Sequence, residues 1–170
     1  MPPVIVTPPT AQPVGLEDMR AHLRVTYRDE DALIQQLMAA AVAHLDGWNG
    51  VLGRAIMSQT WSETFSGPGP YLLAMPDATV ATATVDGIAA SGVTTEATAA
   101  GVSVEFDSYG SETTIEYTCA LPARLLPVAQ IAVKLLVAHW FENRSAVGES
   151  MAALPMAVDA VLAGIRWRRI

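Results

Sequence analysis

Between Ala123 and Ala146 the chain reads ARLLPVAQIAVKLLVAHWFENRSA, and from Val128 to Phe141 only Gln130, Lys134 and His139 interrupt apolar side chains. That spacing predicts one long helix with no broad polar face for water, so it must be enclosed on nearly every side. Pro127 suits its first turn, where a missing N–H costs no intrahelical bond. A membrane span needs about 20 apolar residues without charge. This run is shorter and carries Lys134, so it is expected to form the buried axis of a non-membrane fold or assembly, with Leu135 and Trp140 largely buried.

The remaining sequence divides around this axis. Residues 1–14 hold five prolines and the extended-looking VIVT, which predicts an arm lying on something else. Leu16, Met19 and Leu23 follow helical spacing with Glu17 and Asp18 in the first turn, predicting a short helix from Leu16 to Leu23. A second helix is expected from Asp29 to about Trp48, with Leu33, Ile34, Leu37, Met38, Ala41, Leu45 and Trp48 on one face. From about 54 to 120 the period becomes two. Strands are expected over Ile56–Phe65, Tyr71–Met75, Thr79–Ile88, Val102–Phe106 and Thr113–Cys119. The Gly/Ala/Thr-rich stretch from Ser91 to Gly101 reads as a mobile loop. After a linker at 147–155, Val158, Val161, Leu162 and Ile165 mark a last short helix from Met156. The expected fold is α+β: a small helical bundle (16–48 and 123–165) around the long helix of the C-terminal half, with one inserted antiparallel sheet. One domain, 15–170, follows the arm.

Composition narrows function by exclusion. At 51% hydrophobic and 16% charged, the chain has a thin charged surface for its 170 residues, and contact with partners is the simplest use of the apolar surplus. A formal net charge of −7 argues against a protein that works by neutralising nucleic-acid phosphates. The lone Cys119 permits neither an intrachain disulfide nor a cysteine zinc site, and in TIEYTCA it reads as a small buried hydrophobe. The N-terminus has no basic region followed by an apolar stretch, so it does not read as a signal peptide, and an intracellular setting is expected.

Candidate chemistry is sparse. His22, His44 and His139 fall on three different predicted helices with no paired ligand spacing, and the Asp29-Glu30-Asp31 triplet is ordinary helix-start chemistry rather than a metal cluster. Glu17 and Asp18 are adjacent, so they point to different sides of a helix and cannot easily flank one substrate. GPGP at 67–70 lacks the helix and lysine of a phosphate loop. No enzyme, cofactor or metal site is expected. The tail Arg166-Trp167-Arg168-Arg169 offers the side chains that most often carry binding energy at interfaces. It reads either as an anchor or as a solvated end, with Trp167 folded back on the last helix.

GLEDMRAHLRV followed by DEDALIQQLMAAAVAHLDGW resembles the opening of the phage head-to-tail connector (adaptor) family, of the kind shared by long-tailed phages and gene transfer agents. The likeness continues through SQTW and LPARLLPVAQIAVKLLVAHWFENRSAV to the closing LP…VDAVLAGIRW. It implies a virion protein, assembled in a host cytoplasm, that forms a dodecameric ring between the capsid portal and a tail-side connector or stopper protein. DNA passes through such a ring without specific binding or chemistry. The resemblance also implies that the C-terminal end, here Arg166, Trp167, Arg168 and Arg169, reaches toward the portal. The alternative is a non-enzymatic small-molecule-binding or regulatory α+β module.

Overall fold

The computed structural model describes residues 1–107, 110–143 and 156–167. Among them are four helices and two antiparallel sheets, an α+β fold. In chain order, β1 (Val4–Thr7) leads to α1 (Leu16–Leu23) and α2 (Asp31–Leu45). Then come β2 (Gln59–Ser66), β3 (Tyr71–Leu72), β4 (Ala78–Val85), β5 (Ile88–Ala89), β6 (Thr94–Thr98), β7 (Gly101–Glu105) and β8 (Glu112–Cys119). The chain returns to helix with α3 (Leu126–Glu142) and α4 (Met156–Leu162). None of the helices in the described residues is long and apolar enough to cross a membrane.

The helices share one hydrophobic core. Met19 of α1, Ile34, Met38 and Leu45 of α2, and Val158 and Leu162 of α4 close on Ala129, Ala132, Val133, Leu136 and Val137 of α3. The three small residues, Ala41 on α2 and Ala129 and Ala132 on α3, are fully buried and let the helix backbones approach closely. Arg20 of α1 is buried with them, its guanidinium bonded to Glu17 and the Thr26 carbonyl and 3.4 Å from Asp31. The third carboxylate of the acidic triplet thus neutralises a buried cation.

Three expectations need correction here. The long helix begins at Leu126, after a turn, and the expected end at 144–146 lies outside the described residues. It is not enclosed on all sides: Leu135 and Trp140 are only half-buried, and Ile131 is 47% exposed. The other helices bury one face of α3; Val128, Leu135 and Trp140 pack on that core only in part, and Ile131 stays exposed among the described residues. The second helix stops at Leu45, before Trp48, because Asp46 takes an extended conformation and Gly47 turns at φ +77°.

The β half also differs from the expected single sheet. The first sheet has the order β1-β2-β8-β4-β5, so the proline-flanked arm supplies an edge strand outside 54–120. A second sheet, β3-β7-β6, packs on it, and Trp61, Tyr71, Leu73, Met75, Val104, Phe106, Ile115 and Tyr117 fill the space between. The expected strand Thr79–Ile88 breaks at Asp86-Gly87, where both residues have positive φ and form the tight turn favoured by twisted hairpins. The carboxylate of Asp86 accepts bonds from the Ser111 side chain and from the Ser111 and Glu112 N–H groups, which lower its pKa. The expected mobile loop from Ser91 to Gly101 is instead largely β6, paired residue for residue with β7. Its side chains are all exposed, so periodicity carried no burial signal there.

Leu136 is 1% exposed whereas Leu135 is half-buried. Leu136→Ala is expected to lose about 2–5 kcal/mol in urea unfolding and Leu135→Ala less than about 2 kcal/mol. The reverse order would show that α3 turns its other face inward.

Candidate interaction surfaces

The helical and β halves meet along a seam of buried polar contacts. Asp46, just past α2, accepts the Ile56 N–H at 2.6 Å and the Gln59 side-chain amide at 2.9 Å. Burial raises its pKa, and these same bonds oppose the shift. Arg54 then reaches in two directions: it donates to Asp77 at 2.6 and 3.0 Å, and to the Ile165 carbonyl at 3.1 Å. Its guanidinium also lies 5.9 Å from the centre of the Trp167 ring.

The tail residues are placed by this seam. Trp167 donates its N–H to the Leu52 carbonyl at 2.8 Å and lies over Gly53, where an added Cβ would come within 3.2 Å of the Trp167 carbonyl oxygen. Gly53 has φ +60°, so both its conformation and its clearance call for glycine. Trp167 is thus folded back, not onto Val161 and Leu162, but onto the connection between α2 and β2. Arg166 donates to Asp159 at 2.7 Å and is half-buried. Arg168 and Arg169 lie outside the described residues. Sequence reasoning missed Arg54, although it is the last Lys or Arg before a run from 55 to 123 that contains eight Asp or Glu and no basic residue. That run carries the net negative charge: the rest of the sequence holds the other nine acidic residues against all ten Lys and Arg.

Groups with catalytic potential are otherwise engaged or dispersed. His22, His44 and His139 are exposed on three helices, with His44 edge-on to Trp140 at 6.3 Å. Glu63 is buried between the sheets, where it accepts the Tyr117 hydroxyl and, at 2.8 Å, the Ala74 N–H. Burial and the neighbouring Glu63 raise the Tyr117 pKa. Cys119 is buried and its pKa is pushed up to about 12, chiefly by burial, so its thiol is not a nucleophile at neutral pH. Among the described residues, no group of three or more His, Cys, Asp or Glu could hold a metal ion. An open groove of about 530 Å³ near the GPGP turn, walled by Phe65, Pro70, Tyr71 and Leu72, contains a single charged side chain, Glu112.

No protein-family model matches this chain, and no curated protein matches it. Solved structures do. A chain from the neck of an empty gene transfer agent (GTA) particle, computed with C6 symmetry, superposes with a TM-score of 0.73 at 21% identity, covering 100% of this chain and 97% of that one. A chain from the virion of a native GTA particle gives 0.69 at 20% identity, and one from the neck of a native GTA particle computed with C12 symmetry gives 0.68 at 20%, with the same coverage. At these identities the likeness establishes a shared fold over the whole chain.

Asp46 yields a signed pH prediction. Its folded pKa is raised, so its burial costs stability increasingly as pH rises from the unfolded carboxyl value, about 3.9, through the folded one. Asp46→Asn keeps an acceptor for Ile56 and can donate to Gln59 Oε1, which has no partner. The stability of Asp46→Asn minus that of the wild type should therefore rise across that window and then level off. Asp46→Ala should lose about 1–3 kcal/mol at neutral pH, because it orphans both donors. A difference between Asn variant and wild type that is flat from pH 3.5 to 7 would show that the carboxylate is not desolvated.

Proposed function

We propose that this chain is a non-enzymatic adaptor subunit of a head-to-tail connector, in the neck of a phage-like particle of the gene transfer agent kind. In this reading, copies form a dodecameric ring that joins the capsid portal to a tail-side connector or stopper protein, and DNA passes through without specific binding. The observation that carries the reading is the full-length superposition on GTA neck chains. Two features of this chain support it. The outer side of α3, with Ile131 47% exposed and Val128 and Leu135 half-buried beside it, offers apolar contact to a neighbouring subunit. The base-free β half has no cations with which to hold DNA phosphates.

The portal contact is assigned to Arg166, Trp167, Arg168 and Arg169, with divided roles. Trp167 and Arg166 fasten the segment to the body through Leu52, Arg54 and Asp159. Arg168 and Arg169 supply guanidinium groups that can form forked bonds to partner carboxylates. A weak contact repeated around a ring sums to firm attachment.

Removal of residues 168–170 tests this reading. The shortened protein is expected to unfold within about 0.5 kcal/mol of wild type, yet to form no portal-bound rings in negative-stain images that show them for wild type. Trp167→Ala should instead lower stability by about 1–3 kcal/mol, since the ring is only half-buried. Wild-type attachment by the shortened chain would move the contact elsewhere, first to residues 1–14. Absence of any portal complex with the intact chain would remove the adaptor reading itself.

A further inference from the structure

Among the described residues, each edge of the five-stranded sheet has a stretch with no strand paired to it. On one side, β1 offers Val4, Ile5 and Val6 at 60, 45 and 49% exposure, with no charged residue and its outer backbone edge unpaired. On the other side, β5 pairs only with Thr84 and Val85, and one further bond joins Ala90 N–H to the Ala83 carbonyl. The edge of β4 from Ala78 to Thr82 is therefore open, and it too carries no charge. Exposed edges without charge are templates for pairing with another chain, and the prolines at 2, 3, 8 and 9 bracket β1 without interrupting it.

We propose that β1 of one subunit pairs with the open Ala78–Thr82 edge of β4 in the next, so that the sheets join edge to edge around the ring. The occupant of each edge is thus a second copy of this chain, and the proposal rests on the ring reading above. Strand direction favours it. The steps β1 to β2, β2 to β8 and β8 to β4 are all antiparallel, so β1 and β4 of one subunit run in opposite directions. A second copy in the same orientation, as cyclic symmetry requires, brings its β1 antiparallel to the first copy's β4. A two-fold β1-to-β1 contact also gives antiparallel pairing, but it stops at two copies and leaves the β4 edge bare. The lengths agree, with four residues in β1 and five along the open edge.

Side chains agree as well. The row Ile5, Trp61, Tyr117, Val80 runs across one face of the sheet, toward the core between the sheets. Ile5 of the next copy would extend that row beside Val80. Each edge strand also carries an irregularity, at Val6 in β1 and at Ala81 in β4. Such bulges bend and twist a strand, as closure of a sheet around an axis demands.

Cysteine cross-linking of the full chain with its portal tests the contact. Within one subunit β1 and β4 are three strand spacings apart, about 14 Å, and a disulfide spans no more than about 7 Å between Cα atoms. Ile5→Cys combined with Val80→Cys, or with Ala78→Cys two residues along the same face, can therefore close only between copies. Native Cys119 is buried and does not compete. The expected result after mild oxidation is a non-reducing gel ladder of dimers, trimers and higher species for at least one pair, and none for single variants. Ile5→Lys should fold with an unchanged circular dichroism spectrum and lose at least tenfold in ring yield. Rings that form without a ladder, rings of Ile5→Lys at wild-type yield, or a dimer from Ile5→Cys alone would each overturn the edge contact while leaving the ring reading in place. A wild-type chain that stays single with portal present would overturn both.

Discussion

Arg54 is the interaction on which the arrangement of the two halves depends. It follows Gly53 at the point where the chain passes from helix to sheet, and it binds Asp77 before β4, the Ile165 carbonyl after α4, and the face of Trp167. Two segments distant in sequence are thus fixed to one guanidinium, whose planar fork suits several acceptors better than an ammonium would. The site is partly shielded from water, with Arg54 and Asp77 side chains 13% and 22% exposed, so this ion pair is worth more than a surface one. Asp46 and Gln59 continue the seam alongside. Between the two hydrophobic cores, one among the helices and one between the sheets, these polar contacts of stated direction run beside apolar ones from Leu52, Ile56 and Trp48.

What was legible in the sequence follows from where burial repeats with a period. The first helix is found over Leu16–Leu23 as read, because Met19 and its flanking leucines alternate with acids and arginines. The strands β2 and β8 alternate buried and half-buried positions along most of their length, and both were read within a few residues of their ends. By contrast, β6 buries nothing, and TTEAT has neither an apolar face nor a turn residue to mark it. Its hydrogen bonds to β7 make it a strand, and such bonds leave no trace in side-chain pattern. The Asp86-Gly87 turn was readable in principle, since that dipeptide between β-prone runs is a strong hairpin signal. The candidate tail was legible as residue types only. Its fastening depends on Gly53 and Arg54, more than 100 positions away.

The long helix shows a different limit. Hydrophobicity states that a side chain leaves water, not which molecule covers it. In α3 the positions Ala129, Val133, Leu136 and Val137 are buried among this chain's own helices, whereas Ile131 is exposed and Val128 and Leu135 pack on that core only in part. Both sets read alike in sequence, so enclosure within one chain and enclosure within an assembly give the same pattern. The structure separates them, and the apolar surplus becomes a property of surfaces rather than of a core.

Charge is divided along the same boundary. The run from 55 to 123 has eight acidic residues and no basic one; Glu63 and Asp77 are bound at partly or fully buried sites, and Asp86 is held at the surface by Ser111 and Glu112. Residues 1–54 and 124–170 hold every Lys and Arg. A subunit with one nearly balanced half and one acidic half cannot repeat around an axis at random. Acidic halves brought face to face repel, while the uncharged strips along β1 and the open edge of β4 can approach without that cost. In the ring proposed above, sideways repetition that joins uncharged edges, with acidic groups turned toward a solvent-filled passage or outward, is the arrangement in which apolar and electrostatic demands agree. If those groups face the passage, it repels DNA, the behaviour a conduit needs.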